Sequence, residues 1–271
     1  MRAATVLGVI VGGVTFGFTG FAFALFAISA LVLEFPPAVV VPAVMLVGDT
    51  LILMLAWEQR ASLLPRKLRY VPPFSPWSAP FVLAGLAMGT LLLSRAPAWT
   101  GRLALGTLLL VFTLFQARRI VSEVGRDLAR DLAVSPELTT PSDASDRAAA
   151  APAAFAGLAA GLLDGWLGTG GVAIVVYLAW RRFPPGPFVA GLRGYFLASD
   201  VLRMVVYAMA GYWSRPTLGL YLRVLPWALL ATLLGVALRR RWGAPTVFRI
   251  VVLVVLFGYG VALITRVVLE P

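Results

Sequence analysis

The chain has 271 residues, of which 60% are hydrophobic and only 13% are charged, whereas a soluble domain is about half apolar and a quarter charged. It contains neither cysteine nor histidine, which excludes disulfides, thiolate nucleophiles, Cys/His zinc sites and imidazole acid/base chemistry. The formal charge of +11 lies mostly in short loops between apolar runs, which indicates cytoplasmic loops and anionic lipid as neighbours, and no nucleic acid.

Apolar runs of the length that a bilayer requires follow one another along the whole chain. There are eight such segments, at residues 5–33, 38–57, 78–94, 99–117, 152–180, 188–211, 217–238 and 246–268. The first continues to about Leu33 without a small-residue cleavage site, so we expect it to be retained. The widest polar stretch divides the chain into a transmembrane repeat at 1–117, a linker at 118–151 that we expect to be cytoplasmic, and a second transmembrane repeat at 152–271.

The first and fifth segments, with about 29 residues each, would be about 43 Å long as straight helices, which exceeds the hydrocarbon core of about 30 Å. Both carry several glycines near their middles. A break there would leave half-helices of about 12 residues that reach roughly the bilayer midplane. The alternative is a tilted, continuous helix whose glycines permit close packing.

The two halves of the chain resemble each other. Gly17, Gly20 and Phe35-Pro36-Pro37 recur 148 positions later as Gly165, Gly168 and Phe183-Pro184-Pro185. Farther along, Pro80, Gly89 and Arg95 recur 146 positions later as Pro226, Gly235 and Arg241. We interpret one half as a duplicate of the other.

Loop charge indicates how the repeats are oriented, because Lys and Arg gather on the cytoplasmic side. If all eight segments cross the bilayer, the basic residues divide 13 to 9, whereas re-entrant first and fifth segments divide them 16 to 6, with Arg203 left out of both counts. The fold class that we predict is therefore an all-α polytopic membrane protein. It consists of two inverted repeats, each with a broken or re-entrant Gly-rich first segment plus three transmembrane helices, and both termini lie outside the cytoplasm.

Broken helices at membrane depth are natural binding sites, because irregular backbone is tolerated there only beside protein or a watery cavity. A half-helix that starts near Thr19 and Gly20, or near Gly168, Thr169, Gly170 and Gly171, would direct its positive dipole end and amide groups at the midplane. The two threonines could add hydroxyl donors. These six residues are candidates for binding an oxyanion, and helix packing is the alternative role for the glycines.

Ionisable residues inside apolar segments are costly and therefore candidates for function. Asp49, Asp164, Asp200 and Arg203 are such residues. Arg203 could bind an anionic substrate with Asp200 restraining it or accepting a proton, or the two could form a neutralising pair at i, i+3. Asp49 could serve coupling or accept backbone hydrogen bonds, and Asp164 could orient the amides of the second break or lie in an interfacial turn.

The chain resembles the sulfite exporter TauE/SafE permeases over essentially its whole length, most clearly in its second half. The residues that carry the resemblance are Gly161-Leu162-Leu163-Asp164-Gly165-Trp166-Leu167-Gly168-Thr169-Gly170-Gly171, the turn Phe183-Pro184-Pro185, and residues 198–211. Each half of those proteins opens with a similar Gly-rich stretch and a Leu-Pro-Pro-like turn. The first copy departs from this pattern, since Gly17-Phe18-Thr19-Gly20-Phe21-Ala22-Phe23 lacks the triple glycine.

The resemblance implies an inner-membrane permease, with no enzymatic activity, that moves sulfite or a sulfur-containing organic anion such as a sulfonate, usually outward. The expected partners are a small anionic substrate and the lipid bilayer, with a homodimer left open, and no cofactor or metal is expected. The chain has no phosphate-binding loop, so the driving force would come from gradients or a partner. A channel-like or scaffold protein and an intramembrane enzyme are the competing interpretations.

Overall fold

The computed structural model describes residues 1–19, 22–58, 79–130, 150–180, 185–242 and 246–269. Within these ranges the chain is helical and contains no strand. The helices are α1 Ala3–Thr19, α2 Phe23–Leu31, α3 Pro37–Glu58, α4 Ala79–Arg95, α5 Ala98–Arg130, α6 Ala150–Leu167, α7 Gly171–Trp180, α8 Pro185–Met209, α9 Arg215–Trp242 and α10 Thr246–Leu269. The all-α prediction is confirmed for this part of the chain, and most of the predicted linker, residues 131–149, lies outside it.

Three of the described helices are long and apolar enough to cross a bilayer, within Pro37–Leu55, Ala98–Arg118 and Arg215–Arg241. The outer faces of the bundle are apolar as well. Leu222, Leu230 and Leu233 of α9, for example, expose more than half of their surface. In water such a face would be unfavourable, whereas lipid solvates it.

The first and fifth apolar segments are both broken, as predicted. The first consists of α1 with 17 residues and α2 with 9, and the fifth of α6 with 18 residues and α7 with 10. The two parts are unequal, so the predicted half-helices of about 12 residues were wrong in length. Ala22, with φ 77°, and Gly168, with φ 64°, adopt left-handed backbone at the two breaks, a conformation that cannot continue a right-handed helix.

At each break the chain folds back on itself. Gly8 and Gly12 of α1 lie against Ala30 and Phe26 of α2, so residue numbers fall along one helix as they rise along the other. Beyond α2, Glu34 accepts hydrogen bonds from the Arg2 backbone N–H at 2.6 Å and from the Thr5 hydroxyl. The two ends of the first segment therefore meet, and the alternative of a continuous tilted helix is wrong.

The fifth segment folds back in the same way. Ala156 and Ala160 of α6 share a buried apolar cluster with Ile174 and Leu178 of α7. In a straight helix Ala156 and Leu178 would be about 33 Å apart, because each residue adds about 1.5 Å. Each Gly-rich segment is thus a hairpin.

Glycines also mediate the closest helix crossings. On α4 and α6, Gly85 and Gly89 face the backbone of Leu158 and Leu162, so that an added Cβ would collide with it. Gly161 and Gly165 meet the α4 backbone reciprocally, and on the other side of the bundle Gly13, Gly17 and Gly235 do the same where α1 crosses α9. Gly17 and Gly165 therefore serve close packing, the role that was the alternative to helix breaking.

The most extensive contacts between the two halves recur when the halves are exchanged. The first helix of one half packs on the fourth helix of the other, as α1 on α9 and α6 on α4. The last helices of the halves, α5 and α10, pack on each other. A duplicated five-helix unit predicts this packing.

One end of the bundle gathers the start of α5, the end of α10 and the end of α2. Arg102 donates to the carbonyl oxygen of Val32 at 3.2 Å, and Arg266 donates to that of Leu33 at 2.6 Å. Cations at the C-terminal end of α2 are favoured by its helix dipole and bind carbonyls that have no partner within the helix. The N-terminus lies at the same end, because Arg2 contacts Glu34.

Candidate functional site

The buried guanidinium of Arg203 on α8 joins three helices. Its Nη1 donates to both carboxylate oxygens of Asp164 on α6, at 3.0 and 2.9 Å. Its Nη2 donates to Asp49 on α3 at 2.9 Å and to Asp200 on α8 at 2.6 Å. The four ionisable candidates, which the sequence spreads over 155 positions, thus form one cluster, here called the Arg203 cluster.

The predicted pair of Asp200 and Arg203 at i, i+3 is present, but it is only part of this larger cluster. Three carboxylates face one guanidinium, so the cluster carries an excess of two negative charges if every group is ionised. Asp49 Oδ2 is buried and accepts no hydrogen bond. Because uncompensated charge is costly in a buried site, the cluster must be neutralised by bound protons, cations or helix dipoles.

The second break ends α6 with two nested backbone hydrogen bonds. The Gly168 N–H donates to the carbonyl of Asp164 at 3.1 Å, and the Thr169 N–H donates to that of Leu163 at 3.2 Å. Gly168 provides the left-handed residue that commonly follows the end of a helix, and α7 begins three residues later. Asp164 therefore contacts the break directly, because its main-chain carbonyl accepts the hydrogen bond from Gly168.

A cavity of about 70 Å³ separates the two breaks. Its walls include Phe23 from the first break, Gly168, Thr169 and Gly171 from the second, and the four members of the Arg203 cluster. A space of this size holds a few water molecules or a small ion.

Thr169 has the most informative side chain in the cavity wall. The residue is 4% exposed, and its hydroxyl has no hydrogen-bond partner within the described part of the protein. A buried hydroxyl without a partner costs about 1 to 3 kcal/mol, and buried polar groups normally find one. The side chain is therefore placed to bind a polar group inside the cavity.

The first break lies between α1 and α2. Thr19 ends α1, and Gly20 lies outside the described residues, so the predicted roles of both remain predictions. Ala22 occupies the N-cap position of α2 and makes no side-chain cap hydrogen bond. The first N–H groups of α2 thus receive no capping side chain from Ala22 at the edge of the cavity.

Two tyrosines of α8 support the second break, and sequence reasoning missed both. The hydroxyl of Tyr207 donates to the carbonyl of Gly165 at 3.0 Å, and it also lies 3.3 Å from that of Asp164. Tyr195 is fully buried, and its hydroxyl lies against Gly170. The available signal was spacing, because Tyr207 follows Arg203 by four residues and so shares its helix face.

Among the described residues, no group of three or more His, Cys, Asp or Glu is arranged to hold a metal ion. A family model described as sulfite exporter TauE/SafE matches residues 4–263. Neither the curated proteins nor the solved structures contain a match to the chain. The family match covers almost the whole chain and includes both hairpins and the Arg203 cluster, so the chain belongs to the sulfite exporter TauE/SafE family of membrane transporters for sulfur-containing anions.

Proposed function

We propose that the protein is a multi-pass secondary transporter of the inner membrane that exports a small sulfur-containing oxyanion, either sulfite or an organic sulfonate. The observation that carries this proposal is the cavity between the two helix breaks, with the unpartnered Thr169 hydroxyl in its wall. Its volume suits a small ion. The family description supports sulfur oxyanions as the substrate class and export as the direction.

In this proposal the two short helices bind the anion. Ala22, Phe23 and Ala24 at the start of α2, and Gly171 and Val172 at the start of α7, line the cavity. The N-terminal end of a helix carries about half a positive charge and presents N–H donors, which suits an oxyanion. The hydroxyl of Thr169 adds a side-chain donor beside the amides of Gly170 and Gly171.

The role of Arg203 is electrostatic in this proposal. Both Nη atoms already donate to aspartates, so an anion shares the guanidinium with these carboxylates. Arg203 offsets part of the negative charge of the three aspartates in the cavity wall, and Asp164 and Asp200 hold its guanidinium in place. Sulfite and sulfonate oxygens can then accept from the helix amides without displacing an ion pair.

We further propose that the two five-helix halves are inverted repeats. Residue numbers rise together where α4 crosses α6, since Gly85 meets Leu158 and Gly89 meets Leu162, so these two helices are parallel. A short connection joins the end of α4 to the start of α5. The start of α5 lies at the bundle end that holds the N-terminus, so α4 and the parallel α6 also end there, whereas α1 begins there. This geometry supports opposite directions for α1 and α6, as inversion requires.

Cysteine accessibility tests the topology directly, because the chain contains no cysteine. We expect Ala96→Cys, in the turn between α4 and α5, to react with an impermeant maleimide added to intact cells. Arg239→Cys, near the end of α9, should react only after the membrane is opened. The reverse pattern would contradict the proposed orientation, and equal reactivity from one side would contradict the inversion.

Transport is tested with purified protein in liposomes. Vesicles preloaded with unlabelled sulfite, isethionate or thiosulfate are diluted into the labelled anion, and we expect saturable counterflow with at least one of them. Protein-free vesicles correct for passive leakage of sulfite. Flux that rises linearly with concentration would indicate a channel, and absence of counterflow with all three anions would contradict the proposed function.

A further inference from the structure

We propose that the carboxylate of Asp49 binds a proton that crosses the membrane together with the anion. This inference rests on the proposed function and adds the coupling ion to it. It starts from two observations in the same cavity, namely the charge excess of the Arg203 cluster and the unpartnered Thr169 hydroxyl that marks a site for a polar ligand.

The charges of the cavity wall decide whether an anion can enter alone. The carboxylates of Asp49, Asp164 and Asp200 exceed the Arg203 guanidinium by two negative charges. The N-terminal ends of α2 and α7 contribute about half a positive charge each, which offsets about one of them. An incoming anion would add negative charge to a buried site that is already negative, so it binds well only after a carboxylate takes up a proton.

The hydrogen bonds distinguish Asp49 from the other two aspartates. Asp164 uses both carboxylate oxygens on Nη1 of Arg203, and Asp200 makes the shortest contact, at 2.6 Å, from the same helix. Asp49 contacts Arg203 through Oδ1 only, at 2.9 Å, and accepts no hydrogen bond at its buried Oδ2. Its carboxyl group lies beside that of Asp200, so a protonated Asp49 can donate to this neighbour. A proton on Oδ2 thus breaks no existing hydrogen bond, and it turns an unpaired acceptor into a donor at the cavity wall.

The surroundings of Asp49 contain few other groups that could take this role. The ionisable residues that line the cavity are the four members of the Arg203 cluster, from α3, α6 and α8. The α2 helix carries no ionisable residue, and Tyr221 of α9 places its hydroxyl 3.3 Å from that of Thr50, the residue after Asp49. Tyr207 of α8 also faces the cluster, and its hydroxyl donates to the carbonyl of Gly165. Arg95 ends α4, Arg102 lies in the first turns of α5 and contacts Val32, and Arg118 of α5 is exposed.

The coupled step conserves protons and charge. Asp49 takes the proton from the aqueous side that supplies the anion, both ligands occupy the cavity together, and both leave to the opposite side. Anion and proton binding favour each other, so the protein works as a symporter rather than an antiporter. The direction of net flux follows the sum of the anion gradient and the proton gradient. When the anion gradient out of the cell exceeds the inward proton gradient, the protein exports the anion together with a proton.

The test measures accumulation of labelled isethionate, a sulfonate that stays monovalent at neutral pH. Liposomes with the membrane potential clamped at zero receive an outside medium one pH unit more acidic than the lumen. One proton per anion predicts about tenfold accumulation at equilibrium, because one pH unit corresponds to a factor of ten. If the pH gradient does not increase isethionate accumulation, the proposal is overturned.

Asp49→Asn tests the assignment, because the amide resembles a permanently protonated carboxyl. We expect its accumulation of isethionate at equilibrium to fall from about tenfold to about onefold, a readout that does not depend on the rate of transport, and counterflow measured in parallel identifies the preparations that transport. Glu34→Gln is the matched control, since Glu34 lies outside the cavity at the bundle end, and it should keep proton-driven accumulation. If Asp49→Asn does not fold, Asp49→Ser removes the same carboxyl, and coupling that survives in either folded variant overturns the assignment.

A sodium gradient at equal pH provides the remaining arm of the experiment. Accumulation driven by sodium and not by protons would overturn the proton proposal while leaving the transport function intact. Counterflow without any gradient-driven accumulation would do the same. Failure of counterflow with isethionate, sulfite and thiosulfate would instead remove the proposed function itself.

Discussion

Asp164 accepts from Nη1 of Arg203 through both carboxylate oxygens, at 3.0 and 2.9 Å. Asp164 lies one turn before the second helix break, and its main-chain carbonyl accepts the Gly168 N–H. Arg203 in turn reaches Asp49 in the first half of the chain. The cluster therefore connects α3, α6 and α8 at the cavity. A change in the charge of one member also changes the contacts that hold these helices together.

Arg203→Lys should reduce transport more than its conserved charge suggests. An ammonium is a point charge and cannot replace the planar fork that spans three carboxylates. We expect counterflow to fall at least about tenfold, with an apparent unfolding temperature that drops less than in Arg203→Ala. The alanine variant leaves three buried carboxylates without a cation, a loss on the order of 3 to 5 kcal/mol.

The measurement combines a thermal shift in detergent with counterflow in liposomes. Trp227→Phe, at an exposed position of α9, controls for handling of the variants. Arg203→Lys with transport like that of the unmodified protein would show that a single positive charge is sufficient.

Thr169→Val should weaken anion binding without loss of stability. The two side chains have similar shapes, and the hydroxyl that is removed makes no hydrogen bond within the described part of the protein. A hydrogen bond to a charged group contributes about 1.5 to 3 kcal/mol, which predicts a rise in KM on the order of tenfold or more. Thr169→Ser keeps the hydroxyl and should restore most of the affinity. An unchanged KM in Thr169→Val would remove Thr169 from the proposed site.

The sequence was sufficient to predict the all-helical fold, both helix breaks and the four ionisable candidates. Each rests on a rule that acts locally: apolar length, glycine content, and the cost of a charge in lipid. The meeting of Asp49 with Arg203 could not be predicted, because 154 residues separate them and no local rule brings them together. For Tyr207, the spacing of four residues from Arg203 could have placed it on the same helix face, but not beside its carbonyl partners, which lie on another helix.

The glycines were ambiguous for a different reason. Close packing and helix breaking both select glycine, so composition alone could not assign Gly17 and Gly165 to packing and Gly168 to the break. The decisive information is the neighbouring backbone of α9 and α4, which only the folded chain supplies.

Gly165→Ala should destabilise the crossing of α6 and α4. An added Cβ would meet the carbonyl of Leu86 and the backbone of Gly89 and Thr90, and overpacking of this kind costs about 1 to 3 kcal/mol. Gly258→Ala in α10 is the matched control, because no neighbouring atom lies within 4 Å of its added Cβ. We expect a lower apparent unfolding temperature for Gly165→Ala and little change for Gly258→Ala. Equal shifts in the two variants would contradict the packing role.

Ala22→Gly and Gly168→Ala should shift stability in opposite directions. Both positions hold left-handed backbone, with φ 77° and 64°, which costs a residue with a Cβ about 1 to 2 kcal/mol and glycine almost nothing. Glycine at position 22 relieves this strain, whereas alanine at position 168 introduces it and also crowds Met45 and Ile28. The expected result is a higher apparent unfolding temperature for Ala22→Gly and a lower one for Gly168→Ala, measured in the same detergent. A rise in both, or a fall in both, would mean that strain at the breaks does not determine the stability of the hairpins.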